Sequence, residues 1–159
     1  MKKFLLVLAI GVYHCDAQVG LSKKQTIEVK NQSKPDFDIA LKFINDYVKH
    51  LVASDKNGKR EPSSTTWIKL NTLVTPAFKT KYKALGSLDA DPILDAQDFP
   101  EKGFIISKTD PSQGYVTVTG IGAEWTEFKV ILKVIQLNNK WLVDGSGIVN
   151  IPKSKQAKR

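Results

Sequence analysis

The chain has 159 residues, 42% of them hydrophobic and 25% charged, with a formal net charge of +8. That length suits a single domain that buries its own core without a disulfide staple. One cysteine and two histidines exclude a disulfide framework and leave too few soft ligands for a zinc centre.

Residues 1–17 read as a secretory signal peptide. Lys2 and Lys3 form its basic start, Phe4–Val12 is an apolar run far shorter than a membrane span, and Cys15-Asp16-Ala17 supplies small residues for cleavage. Tyr13 and His14 precede Cys15, where lipidation would require a small residue. The expected mature chain starts at Gln18, has lost its cysteine and works in the periplasm or outside the cell, with no stable membrane insertion. Residues 18–34 are polar and without a sustained period, and read as a linker to a single α+β domain over residues 35–152.

From Asp36 the pattern becomes helical. Phe37, Ala40, Leu41, Ile44, Val48, Leu51 and Val52 recur at steps of three and four, with Asp38, Lys42, Asp46 and Lys49 on the other side. Ser33, Pro35 and Asp36 give the start, and Asn57-Gly58 lies beyond the end. After a polar loop, Ser63 or Ser64 caps a second helix with Trp67, Leu70, Leu73 and Val74 as its apolar side. Thr75-Pro76 restarts the helix for Phe78, Tyr82 and Leu85, and Gly86 closes it.

Everything beyond Gly86 reads as strand and turn. Phe104–Ser107 and Tyr115–Thr119 flank the turn residues Asp110–Gly114, making one hairpin. Phe128, Val130, Leu132 and Val134 define one face of a longer strand with Lys129 and Lys133 opposite, and Asn138-Asn139 turns the chain into Trp141–Val143, making a second. Ile131 and Ile135 share the lysine face. Gly120 and Gly122 before Trp125 suggest a bulge or a corner. Lys153, Lys155, Lys158 and Arg159 form a basic tail over residues 153–159 that supplies four of the positive charges; its simplest reading is a solubilising, disordered extension, and the sharper one is attraction to anionic surfaces.

Asp89, Asp91, Asp95 and Asp98 place four carboxylates within ten residues of a basic chain. Calcium is one way to neutralise them, with Gln97 adding an oxygen, although the spacing is not that of an EF-hand. A second is a ligand site in which Asp91, Asp95, Gln97 and Asp98 sit at a cavity mouth with Tyr82 and Trp125 as walls. A third is plain turn-capping, with salt bridges to Lys79, Lys81 and Lys83.

No enzyme is assigned by this inventory, and no cofactor is required by it. His50 is the sole histidine after the signal peptide, Gly145-Ser146-Gly147 lacks the glycine spacing of a nucleophile elbow, and no phosphate-binding glycine motif occurs. Nucleic acid is an unsuitable partner, because the basic residues do not interleave with an aromatic strand motif.

Helices first and an antiparallel meander afterwards argue an α+β domain with N-terminal helices packed on a curved antiparallel sheet. The segments Leu73–Phe78, Asp89–Asp98 and Trp141–Asp144 resemble exported bacterial domains of unknown function of the cystatin-like and NTF2-like type. That resemblance implies a cone-shaped domain with a cavity between helix and sheet. The function it suggests is a non-catalytic binding module for an envelope protein or a small molecule; the alternative is a small carboxylate-dependent hydrolase or isomerase.

Overall fold

Helix α1 (Asp38–Lys56) begins where the Asp36 carboxylate accepts the Asp38 amide at 3.1 Å, a capping interaction that satisfies a first-turn donor. Its buried stripe is Ala40, Phe43, Ile44, Tyr47, Val48 and Leu51, continued by the buried Phe37 just before its first turn. Leu41 and Val52, expected within that stripe, lie at its margin and are only partly buried. Phe43 and Tyr47 occupy the centre instead, stacked on each other with ring centroids 6.4 Å apart. The structure is a computed structural model that describes residues 34–56 and 62–158. The signal peptide and nearly all of the expected linker lie outside the described residues.

Ser63 caps α2 (Ser64–Leu70), its hydroxyl accepting the Thr66 amide at 3.3 Å. The helix ends three residues before the expected Leu73. Asn71 takes an extended ψ, its side chain accepts the Leu73 amide at 2.8 Å, and Leu73–Thr75 runs alongside a strand instead of continuing the helix. Leu70 is consequently 68% exposed, while Val74 is buried. Thr75 caps α3 (Pro76–Ala84) from the Phe78 amide at 3.0 Å, with Pro76 in the first turn and Gly86 at φ +67° just after Leu85 ends it.

Four antiparallel strands follow in the order β1 (Phe104–Asp110), β2 (Tyr115–Gly120), β3 (Lys129–Leu137) and β4 (Lys140–Ser146), each paired with its sequence neighbours. With the helices this is an α+β architecture. The pairs Val116 with Leu132 and Val118 with Val130 face α1 and are buried, whereas Thr117 with Ile131 and Thr119 with Lys129 lie on the other face. Asn138 and Asn139 both adopt positive φ in the β3–β4 turn, the conformation that suits a right-twisted hairpin.

Gly120 stays in register with Phe104, and the ladder slips elsewhere. Ser107 is the extra residue in β1, and Asp144 is the extra residue in β4, between Val143 and Gly145. Both outer strands are partly covered. Leu73 and Thr75 exchange backbone hydrogen bonds with Val143 beside β4 (2.8 and 3.0 Å). Beside β1, the Asn45 side chain accepts the Phe104 amide at 2.7 Å and donates to the Phe104 carbonyl at 3.1 Å, imitating a neighbouring strand.

Residues 153–158 are not a free extension. Lys153–Lys155 form a single 3₁₀ turn, the Gln156 side chain donates to the Ile151 carbonyl at 2.9 Å, and the Lys155 ammonium lies 5.5 Å from the centre of the Tyr115 ring. Among the described residues no helix is long and apolar enough to cross a membrane.

Candidate functional site

The acidic segment folds back on itself between Asp91 and Ala96, whose backbones exchange hydrogen bonds of 2.9 and 3.3 Å. Within it, one Asp91 oxygen accepts the amides of Ile93 and Leu94, each at 2.9 Å, and the other accepts the Tyr47 hydroxyl at 2.5 Å. Asp91 therefore ties the loop to the middle of α1. Ile93 and Leu94 point into the core and are fully buried.

A second set of bonds fastens the same loop to the end of the sheet. The Ser146 hydroxyl donates to the Ile93 carbonyl at 3.0 Å, and the Ile148 amide to the Pro92 carbonyl at 3.0 Å. Gly147 sits at φ +57°, and a side chain there would come within 2.5 Å of both carbonyls, so glycine is required twice over.

These anchors frame a polar cavity of about 730 Å³, within the range of small-molecule sites. Leu51 of α1 contributes to it, with Ser64 and Thr65 of α2, Tyr82 of α3, and Asp89 and Gln97 of the acidic segment. No sheet residue lines it. The space between α1 and the sheet, where a cavity was expected, holds Phe43, Ile44, Tyr47 and Val48 packed against the strands.

Of the residues singled out in the sequence, Tyr82, Asp89, Asp91 and Gln97 share this cavity. Asp95, at φ +56°, and the exposed Asp98 belong to the same loop but do not line it. Trp125 lies apart. Its ring packs edge-on against Phe128 (5.4 Å) and borders a broad hollow of about 900 Å³ on the outer sheet face, together with Ile131 and the C-terminal Gln156 and Ala157.

Among the described residues no group of three or more His, Cys, Asp or Glu side chains converges. Nor does Lys79 pair with an aspartate; its ammonium donates to the Lys69 carbonyl at 2.9 Å. His50 stacks on Trp67 with centroids 5.4 Å apart, in a cluster with Phe43, Tyr47 and Phe78.

Tyr47 was absent from the sequence reading, and the signal for it was the Phe43–Tyr47 pair one turn apart on the stripe. Burial, and then the Asp91 charge beside it, push the titration of the Tyr47 phenol well above its ordinary range near 10. It remains a donor at every ordinary pH. Because the folded state holds this proton more tightly than the unfolded chain, stability should be unaffected below about pH 10 and fall above it, by up to about 1.4 kcal/mol per pH unit. Urea unfolding of the wild type and Tyr47→Phe between pH 9 and 11 checks this: the variant should show the shallower decline, and parallel slopes would contradict it.

No protein-family model matches the chain, and no curated protein does. A solved structure that it resembles is a protein of unknown function from Bacteroides thetaiotaomicron, 18% identical, with a TM-score of 0.46 over 69% of this chain and 88% of that one.

Proposed function

We propose that the protein is a non-catalytic binding module of the exported cystatin-like and NTF2-like kind, and that the polar cavity beside the acidic loop takes a small hydroxyl- or amine-bearing molecule. The observation that carries this reading is the cavity itself. Its serine and threonine hydroxyls, the Gln97 amide and the Asp89 carboxylate offer mixed donors and acceptors on a wall held by Asp91 and Gly147. With residues 1–17 as a leader, its place of work is the periplasm or the cell exterior.

Catalysis draws less support from the same geometry. The two oxygens of Asp91 accept three hydrogen bonds, an arrangement that fixes a carboxylate in place rather than freeing it to abstract a proton.

The test is a thermal-shift and amide-NMR screen of the chain from Gln18 against sugars, amino acids and polyamines. A ligand present at 100 times its Kd should stabilise by about 2.7 kcal/mol and raise the midpoint by several degrees. Shifts should centre on residues 63–65, 82–91 and 97, and Gln97→Ala and Asp89→Asn should weaken binding while leaving the unliganded midpoint within about 2 °C. Binding that maps to the Trp125 hollow instead, or a screen with no hit, would overturn the assignment of this cavity.

A further inference from the structure

On the far side of Tyr82 lies a second hollow of about 480 Å³, a furrow between α2 and α3 that meets the polar cavity at Thr65, Tyr82 and Lys83. Its chemistry is different. Three lysines, Lys69, Lys79 and Lys83, line it with Thr65, Thr66 and Thr80, and no carboxylate does. Among the described residues none of the three ammonium groups makes an ion pair.

Lys79 and Lys83 are four residues apart on α3, where two like charges repel across one turn and destabilise the helix. Lys69 and Lys83 lie near helix C-terminal ends, whose partial negative charge favours them, but Lys79 sits in the first half of α3 without that compensation. Its ammonium is nevertheless held in place, donating one hydrogen to the Lys69 carbonyl at 2.9 Å and keeping two for another acceptor. The Thr66 hydroxyl accepts from Ser63 at 3.2 Å, so its own proton remains to donate.

We propose that the α2–α3 furrow is an anion-binding site that takes a phosphate or carboxylate group, with the tethered Lys79 ammonium as its fixed donor and Lys69 and Lys83 closing around the charge. Neutralising three clustered cations is the driving force, and the anion gains charge-assisted hydrogen bonds. The site shares Thr65, Tyr82 and Lys83 with the neighbouring cavity, but Lys69 and Lys79 line the furrow alone.

The probes are inorganic pyrophosphate and citrate, titrated into the ¹⁵N-labelled chain at low and at moderate sodium chloride. The expected result is saturable binding of at least one, weakened by salt, with amide shifts concentrated at residues 65–69 and 79–83. Pyrophosphate alone would assign a phosphate site, and citrate alone a carboxylate site. Lys79→Gln and Lys83→Gln should each weaken binding about five- to tenfold, whereas Lys102→Gln, an exposed lysine elsewhere, should leave it unchanged. A merely structural role for Lys79 would lower the unfolding midpoint without altering the affinity of the folded protein. Shifts spread evenly over all lysines, equal affinity in Lys79→Gln and Lys102→Gln, or no shift at tens of millimolar anion would overturn the proposal.

Discussion

Asp91→Ala should lower the stability of the domain by about 3–5 kcal/mol and its unfolding midpoint by on the order of 10 °C. The substitution removes the acceptor for two loop amides and strands the hydroxyl of Tyr47, which is fully buried. A buried phenol without a partner carries its whole desolvation penalty, so the loss exceeds the net value of one hydrogen bond. Tyr47→Phe removes that hydroxyl and should be milder, about 1–2 kcal/mol, since the loop amides keep their acceptor.

The double variant separates anchoring from simple loss of packing. With the hydroxyl already gone, Asp91→Ala should cost about 1 kcal/mol less than it does in the wild type, a coupling well above the few tenths expected of independent positions. Calorimetry of the four proteins measures it. Additive losses would mean that Tyr47 and Asp91 do not act as a unit and that the loop is held by Ile93, Leu94 and Ser146 alone. A second consequence follows for the cavity. Because Asp91 positions the wall carrying Asp89 and Gln97, the Asp91→Asn protein, which keeps an oxygen for the amides, should retain ligand binding better than Asp91→Ala.

Periodicity carried the sequence reading through most of the fold, and it stopped where tertiary contacts outweighed it. The Phe37–Leu51 stripe, the Thr75-Pro76 restart and the Asn138-Asn139 turn follow from local rules, and all three stand in the structure. Leu73 and Val74 fit a helical period equally well, yet they run as strand because β4 has an edge to be paired and Asn71 turns the chain toward it. The strand ends, read short at Ser107 and Val143, extend to Asp110 and Ser146 through bulges at Ser107 and Asp144 that no pattern of alternation announces. The site was legible in part. Clustered aspartates marked the right loop, but which of the four turns inward depends on Tyr47, 44 residues earlier in the chain. Trp125 ends the short 3₁₀ turn between β2 and β3, which sets it over the outer-face hollow and away from the acidic loop.

Two of the three segments that carry the family resemblance, Leu73–Phe78 and Trp141–Asp144, meet in space, and Asp144 is where they lock. As the extra residue of the β4 bulge, Asp144 is 8% exposed, and its carboxylate accepts the Thr75 hydroxyl at 2.7 Å and the Asn150 amide at 3.1 Å. The Thr75 oxygen is at the same time the cap of α3. Asp144→Ala should therefore cost about 2–4 kcal/mol, less than a full buried ion-pair deletion because the carboxylate faces neutral donors and its own desolvation is relieved. Thr75→Val should cost a similar amount by a different route, losing the cap and leaving a buried carboxylate oxygen short of a donor, while Thr75→Ser should restore most of it. Urea unfolding decides between this network and a passive bulge, for which Asp144→Ala would fall within about 0.5 kcal/mol of wild type. The lock also bears on binding, because α3 carries Tyr82, Lys79 and Lys83, which line the cavity and the furrow. A frayed α3 should weaken both a small ligand and an anion, whereas Gln97→Ala should touch only the first and Lys79→Gln only the second.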